Sequence, residues 1–225
     1  MRYIDKVGIE LEGGWNNAID LNIIGDGSVN VRAEIIGELV SYPMTEEKVY
    51  DWVIKNHPPA VNATCGMHVH VSFTKILYYA KLMDPLFQGL LLERLTTWGK
   101  ENKIRSSHPF WERVEGNNTF CRPNFWPERQ YLKREKHGER YTMLNYTWAR
   151  YRTIECRILP AFKNPNISVS AIKCVLDSFK EFLKLVNKRR ETEKKLVLEE
   201  NNSEVVFEDT LKISSEYLKP VLYTI

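Results

Sequence analysis

His68 and His70, two histidines separated by one residue, are the first pair in this chain whose type and spacing could do chemistry. They lie in residues 65–73, where alternation predicts a strand whose other face carries Val69 and Val71. Strand geometry then sets the two histidine Cα atoms roughly 6.5–7 Å apart on one face. Imidazole is a common metal ligand and also a partner for phosphate. A polar strand face with two satisfied histidines is the simpler interpretation of the pair taken alone.

Two further predicted strands carry acidic side chains on one face. Residues 7–12 alternate strictly, and residues 32–41 form a second strand after a turn signal at 26–28. Solvent-facing strands can carry acidic residues harmlessly, but like charges on one face gain nothing from each other unless a cation lies between them. The acidic residues that share a face are Glu10 and Glu12 in the first strand, and Glu34 and Glu38 in the second. Apolar residues share the second face, so the pattern leaves open whether Glu34 or Glu38 is functional.

A late strand combines opposite charges on one face. In residues 153–158, Ile154 and Cys156 face the predicted core, whereas Glu155 and Arg157 face away from it. If these strands pair in one sheet, that sheet has an apolar side covered by helices. Its other side is then lined with carboxylate, imidazole and guanidinium groups.

Such a face favours a particular chemistry. Several carboxylates on one surface repel one another by on the order of several kcal/mol unless cations neutralise them. Carboxylate-rich ligation with a single histidine suits Mg²⁺ or Mn²⁺ better than zinc. Arginines beside magnesium suit phosphate transfer, where positioning and charge neutralisation do most of the work. The chain has no Gly-x-x-x-x-Gly-Lys-Ser/Thr loop and no kinase signature, so the pattern disfavours those two classes.

The elements that must position these faces alternate along the chain. Helical periodicity and capping signals predict helices over residues 45–56, 75–99 and 167–190, the second interrupted at Asp84-Pro85. A further strand is predicted over 141–146. Strands and helices mixed in this way indicate an α+β fold with helices packed across one sheet.

Residues 100–140 differ from the rest of the chain. They hold ten Lys/Arg and six Asp/Glu with interleaved aromatic residues, and Pro109, Pro123 and Pro127 are expected to break any regular element. Basic and aromatic interleaving can bind single-stranded nucleic acid, and it can equally cover a nucleotide or anionic substrate. A solvated loop pinned by its aromatics is the plainer interpretation. The segment is expected to form an irregular insertion over the site.

Composition bounds the class of protein. The 225 residues are 43% hydrophobic and 27% charged, as in ordinary globular proteins, and the net charge of +3 does not by itself imply nucleic acid. Four widely spaced cysteines indicate neither a disulfide framework nor a zinc finger. No apolar run approaches a membrane span, and the N-terminus is not a signal peptide. We therefore expect a cytoplasmic protein without membrane association, of open oligomeric state.

Five short motifs together resemble the amidoligase family, which comprises carboxylate–amine ligases related to glutamine synthetase and glutamate–cysteine ligase. They occur in the family's order, and the resemblance covers about residues 7–185. The late strand and the following Asn164-Pro165 also resemble the corresponding strand and helix start of glutamine synthetase. The motifs are Gly8-Ile9-Glu10-Leu11-Glu12, Asp26-Gly27-Ser28, Gly37-Glu38-Leu39-Val40-Ser41, Cys65-Gly66-Met67-His68-Val69-His70-Val71 and Thr153-Ile154-Glu155-Cys156-Arg157.

The resemblance implies roles for individual residues. The implied metal ligands are Glu10, Glu12, Glu38, His68 and Glu155; the implied cofactor-binding residues are His70, Ser72, Arg150 and Arg157; and the implied catalytic residues are Glu38, Arg157 and Arg140. His70 would lie by the nucleotide phosphates. The arginines would hold phosphate or the substrate carboxylate.

The resemblance also implies a fold and a reaction. It implies one catalytic domain over 1–225 with a charged C-terminal extension over 191–225, built as a glutamine synthetase-like, curved, mainly antiparallel sheet with helices on its convex face. The implied cofactors are ATP and Mg²⁺ or Mn²⁺, and the partners are a small-molecule or peptide carboxylate and an amine donor. Transfer of the ATP γ-phosphoryl group to the carboxylate makes an acyl phosphate, which the amine attacks to give an amide.

Two other functions remain open from the sequence. A metal-dependent phosphoesterase or nuclease could use the same acidic and histidine groups without ATP. A non-catalytic protein could bind nucleotide or metal on the same scaffold. Neither substrate of the ligase reaction is identified by the residues.

Overall fold

A computed structural model of the chain describes residues 2–16, 21–119, 121–123, 141–147 and 151–200, with backbone alone beyond residue 192. These residues form an α+β fold. The described strands are β1 (Ile4–Trp15), β2 (Ile23–Ile24), β3 (Ile35–Val40), β4 (Gly66–Phe73), β5 (Leu144–Tyr146) and β6 (Ile154–Pro160). The described helices are α1 (Glu46–Asn56), α2 (Ile76–Leu82), α3 (Pro85–Glu101), α4 (Pro109–Val114) and α5 (Pro165–Glu200).

The six described strands pair into one antiparallel sheet in the order β2-β3-β1-β4-β6-β5. The two longest strands, β1 and β4, lie side by side at its centre. This arrangement brings the first motif of the chain next to the His-x-His strand. It also puts the late strand, β6, on the other side of β4.

One face of the sheet is apolar and forms the core. Val7 and Ile9 of β1 and Val69 of β4 are fully buried on this face, as strict alternation predicts. Phe73 at the end of β4 packs against Tyr79 of α2 and Phe179 of α5, with ring centroids 5.0 and 5.5 Å apart. Helices α2 and α5 therefore meet over the apolar end of β4.

Capping and proline signals explain where the helices begin. Thr45 precedes α1, and the carboxylate of Asp84 accepts a hydrogen bond from the Leu86 N–H at the start of α3, so the predicted interruption is confirmed. The prediction that Pro109 breaks regular structure is wrong. Pro109 occupies the first turn of α4, where it loses no hydrogen bond, and Nδ1 of His108 caps the helix.

The chain divides into two compact units, Met1–Phe182 and Leu183–Ile225, with the boundary inside α5. The sheet belongs to the first unit. The predicted single domain over 1–225 stays a prediction, and residues 201–225 of its C-terminal extension lie outside the described residues. None of the described helices combines the length and the apolar character that a membrane crossing requires.

We expect Phe179→Ala to lower the free energy of unfolding by about 3–5 kcal/mol, because it empties a fully buried site between Phe73 and Phe87. Denaturant unfolding followed by circular dichroism measures the loss. Leu77→Ala, at a residue 46% exposed on α2, is the control and should change the free energy by less than about 1 kcal/mol. Equal losses in the two variants would show that α5 does not complete this core.

Candidate functional site

Strand register concentrates the predicted polar residues on the face opposite the core. Residues directly across from one another on neighbouring strands have side chains on the same face, within reach of each other. The register pairs Glu10 with His68, Glu12 with Glu38, and His70 with Glu155. Four strands, β3, β1, β4 and β6, thus supply one cluster of side chains. We call these six residues, with Asp26 and Arg157, the acidic cluster.

Glu10 joins the two imidazoles of the acidic cluster. Its Oε2 is hydrogen-bonded to Nδ1 of His68 at 2.9 Å, and its Oε1 lies 2.8 Å from Nε2 of His70. Burial alone would raise the pKa of Glu10, but the two imidazoles outweigh it and hold that pKa well below its usual range. The carboxylate of Glu10 is therefore ionised at neutral pH.

His70 gains a proton more readily than an ordinary histidine. Burial opposes the imidazolium, but the carboxylates of Glu10 and Glu155 outweigh it and raise the pKa of His70. Its Nε2 is buried and makes no hydrogen bond of good geometry within the described residues, despite its short distance to Glu10. A proton on this nitrogen would lie next to the Glu10 carboxylate, and an unprotonated ring nitrogen can instead bind a cation.

Glu12 is nearly fully buried and is fixed by the backbone. Its Oε2 accepts a hydrogen bond of 2.5 Å from the N–H of Gly66, and its Oε1 lies 3.5 Å from Nε2 of His68. A Cβ atom added at Gly66 would lie 3.0 Å from Glu12 Oε2 and 2.9 Å from His68 Nε2. Glycine is thus required at residue 66 for these two side chains to come this close.

Glu155 is held between an amide and a guanidinium. Its Oε2 accepts from Nδ2 of Asn145 at 2.9 Å, and its Oε1 pairs with Nη1 of Arg157 at 2.6 Å. Burial would raise the pKa of Glu155, but His68, His70 and Arg157 together lower it. The same Arg157 nitrogen lies 3.4 Å from Nδ1 of His68, so Arg157 closes the β6 side of the acidic cluster.

The pKa of Glu38 is raised by its surroundings. Burial, followed by the nearby charge of Glu10, raises the pKa of Glu38 to about 7, and Glu12 adds to the effect. Ligand atoms of Glu12, Asp26 and Glu38 lie within 4.8 Å of one another. These three carboxylates can share one cation, and their mutual repulsion falls when they do.

A second set of ligand atoms lies on the β4–β6 side. One ligand atom from each of Glu10, His70 and Glu155 lies within 4.8 Å of the other two. Nδ1 of His68 is 2.9 Å from Glu10 and 3.6 Å from Glu155, so His68 borders this set, and its Nε2 faces Glu12 of the first set. His68 therefore lies between the two sets of carboxylates.

The structure does not bring every predicted residue to this cluster. The hydroxyl of Ser72, predicted to bind the cofactor, accepts a hydrogen bond from the backbone N–H of Lys6 at 3.0 Å, which leaves it on the far end of β4. Glu34 is exposed and precedes β3, whereas Glu38 lies in the cluster. The predicted site residues Arg140 and Arg150, and residues 120 and 124–140 of the expected insertion, lie outside the described residues.

Comparison of the chain with protein-family models, with curated proteins and with solved structures gives no match. The site therefore has to be interpreted from its own residues.

Sequence reasoning missed three residues around the cluster. The sequence indicated Asp26 only as a turn residue. The chain reversal between β2 and β3 brings its carboxylate within 4.8 Å of those of Glu12 and Glu38. Asn145 faces Glu155 only because β5 pairs with β6. Arg113 lies on a short helix that no periodicity could predict, and it reaches the backbone of β6. Each depends on a tertiary contact that no local pattern encodes.

We expect Glu38→Gln to stabilise the metal-free protein at pH 8.5 by on the order of 1–2 kcal/mol, with a smaller effect at pH 5.5. The folded-state pKa of about 7 lies above the ordinary value of 4.5, so proton binding by Glu38 favours folding below pH 4.5. That contribution is lost as the pH rises through 7, where the ionised carboxylate opposes folding. Glutamine never ionises and avoids this loss.

Thermal unfolding in EDTA at the two pH values measures the effect, with the exposed Glu34→Gln as the matched control. A Glu38→Gln variant whose gain is the same at pH 5.5 and 8.5 would contradict the raised pKa. So would an equal gain in the Glu34→Gln control.

Proposed function

We propose that the chain is an ATP-dependent carboxylate–amine ligase with a glutamine synthetase-like catalytic fold. One observation carries the proposal. Separate motifs, which resemble the amidoligase family in their order, converge in the acidic cluster on one face of an antiparallel sheet. Alternation places each pair on one face of its strand, and the pairing of β3, β1, β4 and β6 brings those faces together.

The donor set of the acidic cluster fits divalent cations. Two groups of three ligand atoms lie within 4.8 Å, most of them carboxylate oxygens, which suits Mg²⁺ or Mn²⁺ better than zinc. The pKa of Glu38, which burial raises first and the nearby charges of Glu10 and Glu12 raise further, is consistent with this fit. Bound cations would neutralise the charge of the ATP phosphates and of the phosphoryl group during its transfer.

The chain's own residues supply the remaining functions. Arg157 projects into the cluster beside Glu155, and its buried Nε has no hydrogen-bond partner within the described residues. A guanidinium placed in this way can hold a phosphate or a substrate carboxylate. His70 lies with Glu10 and Glu155 in the second set of ligand atoms, where an unprotonated ring nitrogen can help to hold a cation beside the phosphates. Arg157 can then orient the γ-phosphoryl group of ATP.

The reaction balances in two steps. The substrate carboxylate oxygen attacks the γ-phosphorus, the bond from phosphorus to the bridging oxygen breaks, and ADP leaves. A neutral amine then attacks the carbonyl carbon of the acyl phosphate, phosphate departs, and the nitrogen gives up a proton. A carboxylate of the acidic cluster that binds no cation accepts this proton.

A screen for ADP release tests the proposal. Pools of carboxylic acids and of amines are incubated with the protein, ATP and Mg²⁺, and ADP should form only when the correct acid and the correct amine are both present. Phosphodiester cleavage of labelled DNA or RNA with metal and without ATP would instead identify a phosphoesterase or nuclease. Nucleotide binding with no turnover in any pool would favour a non-catalytic protein.

We expect Glu12→Gln to reduce the rate of ADP release by at least about a hundredfold, because an amide is a poor substitute for an anionic metal ligand. Its carbonyl oxygen can still accept the Gly66 N–H, so the fold should persist, which circular dichroism checks. Glu34→Gln, which removes an exposed carboxylate before β3, should keep the wild-type rate. A folded Glu12→Gln variant with full activity would contradict the proposed role of the cluster.

We expect Gly66→Ala to weaken Mn²⁺ binding about tenfold, because the added methyl group forces Glu12 and His68 apart. Gly8→Ala is a matched control on the neighbouring strand, since its Cβ would lie 3.5 Å from the Cβ of His70, an ordinary contact. Titration followed by electron paramagnetic resonance measures free Mn²⁺. Equal affinities in the two variants would show that the cations do not bind beside residue 66.

A further inference from the structure

Arg113 is a buried cation behind the acidic cluster. Its side chain is only 2% exposed, and no carboxylate among the described residues lies within ion-pair distance of it. Instead it donates to three backbone carbonyls: Nη1 to Arg157 and to Leu159, each at 3.1 Å, and Nη2 to Cys65 at 3.4 Å. Its buried Nε has no hydrogen-bond partner within the described residues, and each hydrogen bond of its two Nη atoms goes to a backbone carbonyl. This points to a role in shaping the backbone.

Two of these carbonyls belong to an irregular part of β6. Met67 pairs with Leu159 and Val69 pairs with Cys156, so β6 has one more residue than β4 between these pairs. This bulge lies opposite His68, and the Arg157 N–H turns to the carbonyl of Met143 at 2.9 Å. Arg113 donates to the carbonyl of Arg157, within the bulge, and to that of Leu159, which pairs with Met67 at the end of the bulge. Since bulges re-aim side chains, this contact bears on where Arg157 points.

The third carbonyl belongs to the peptide group whose N–H donates to Glu12. The Cys65 carbonyl accepts from Arg113, and the N–H of the same peptide group, on Gly66, donates to Glu12. A cation at the carbonyl end polarises the peptide and strengthens its N–H as a donor. A Cβ added at Gly66 would lie 3.4 Å from Arg113 Nη1, so the guanidinium directly underlies this peptide.

We propose that Arg113 is a positioning residue for the acidic cluster. Its hydrogen bonds to the carbonyls of Cys65, Arg157 and Leu159 fix the conformation of the β6 bulge and of the Cys65–Gly66 peptide. These two backbone segments in turn orient Arg157 and Glu12 towards the cluster. The inference deepens the proposed function, since the cluster is its metal and phosphate site. Lysine cannot replace Arg113, because one ammonium cannot span three carbonyls in the plane that the guanidinium occupies.

The test compares Arg113→Lys and Arg113→Met with Arg94→Lys and Arg94→Met. Arg94 is a matched control, because it is a half-buried arginine on α3 that pairs with Glu181, away from the cluster. The first readout uses metal-free protein: the NMR signals of the His68 imidazole and of the Arg157 Nε–H group, measured well below the melting temperature. The second is the affinity for Mn²⁺.

We expect both Arg113 variants to shift the His68 and Arg157 signals and to weaken Mn²⁺ binding about tenfold, while both Arg94 variants leave them as in wild type. Wild-type signals and wild-type Mn²⁺ affinity in the two Arg113 variants would overturn the proposal, even if those variants melted earlier. So would full recovery by Arg113→Lys, since charge alone would then suffice.

The two proposals fail differently. A wild-type protein that binds no Mn²⁺ at the acidic cluster counts against the proposed ligase. The NMR signals of the metal-free variants still decide the role of Arg113 in that case.

Discussion

Repulsion among carboxylates crowded on one side of a sheet is the constraint on which the rest of this structure depends. Glu10, Glu12, Glu38 and Glu155 come from three strands, and register alone sets them across from each other or from histidine. Their charges are offset by imidazoles, by Arg157 and by backbone N–H groups. The pKa of the Glu38 carboxyl is raised to about 7, first by burial and then by the charges of Glu10 and Glu12.

A sheet with a permanent core on one face can tolerate this crowding. Each strand buries its apolar residues on one side through alternation, and the rings of Phe73, Phe87 and Phe179 close that side. The free energy of folding then comes from one face, and the other face is free to hold groups that oppose one another. A cation that relieves the repulsion should therefore bind without any large change in the core.

Much of the sheet and of the site could be predicted from the sequence, because both follow from alternation with a period of two. That period places Glu10 and Glu12 together, and likewise His68 and His70, and separates each pair from the core. The period of two does not determine which strands become neighbours. Asn145, Asp26 and Arg113 join the site through pairing, a chain reversal and a short helix, so their roles required the tertiary structure.

Pro109 shows that a local sequence rule can also predict a break where the structure has none. Pro109 was expected to interrupt structure, yet proline is compatible with the first turn of a helix, and His108 caps it there. This turn carries Arg113 towards β6. The same residue type that predicts a break in one context thus begins the element that supports the site.

Anomalous scattering from crystals soaked in Mn²⁺ would test most directly the claim that these side chains share divalent cations. We expect density peaks within about 2.5 Å of carboxylate oxygens in the acidic cluster, one beside Glu10 and Glu155 and one beside Glu12 and Glu38. Manganese bound only elsewhere on the molecule, with the cluster unchanged at millimolar Mn²⁺, would contradict it.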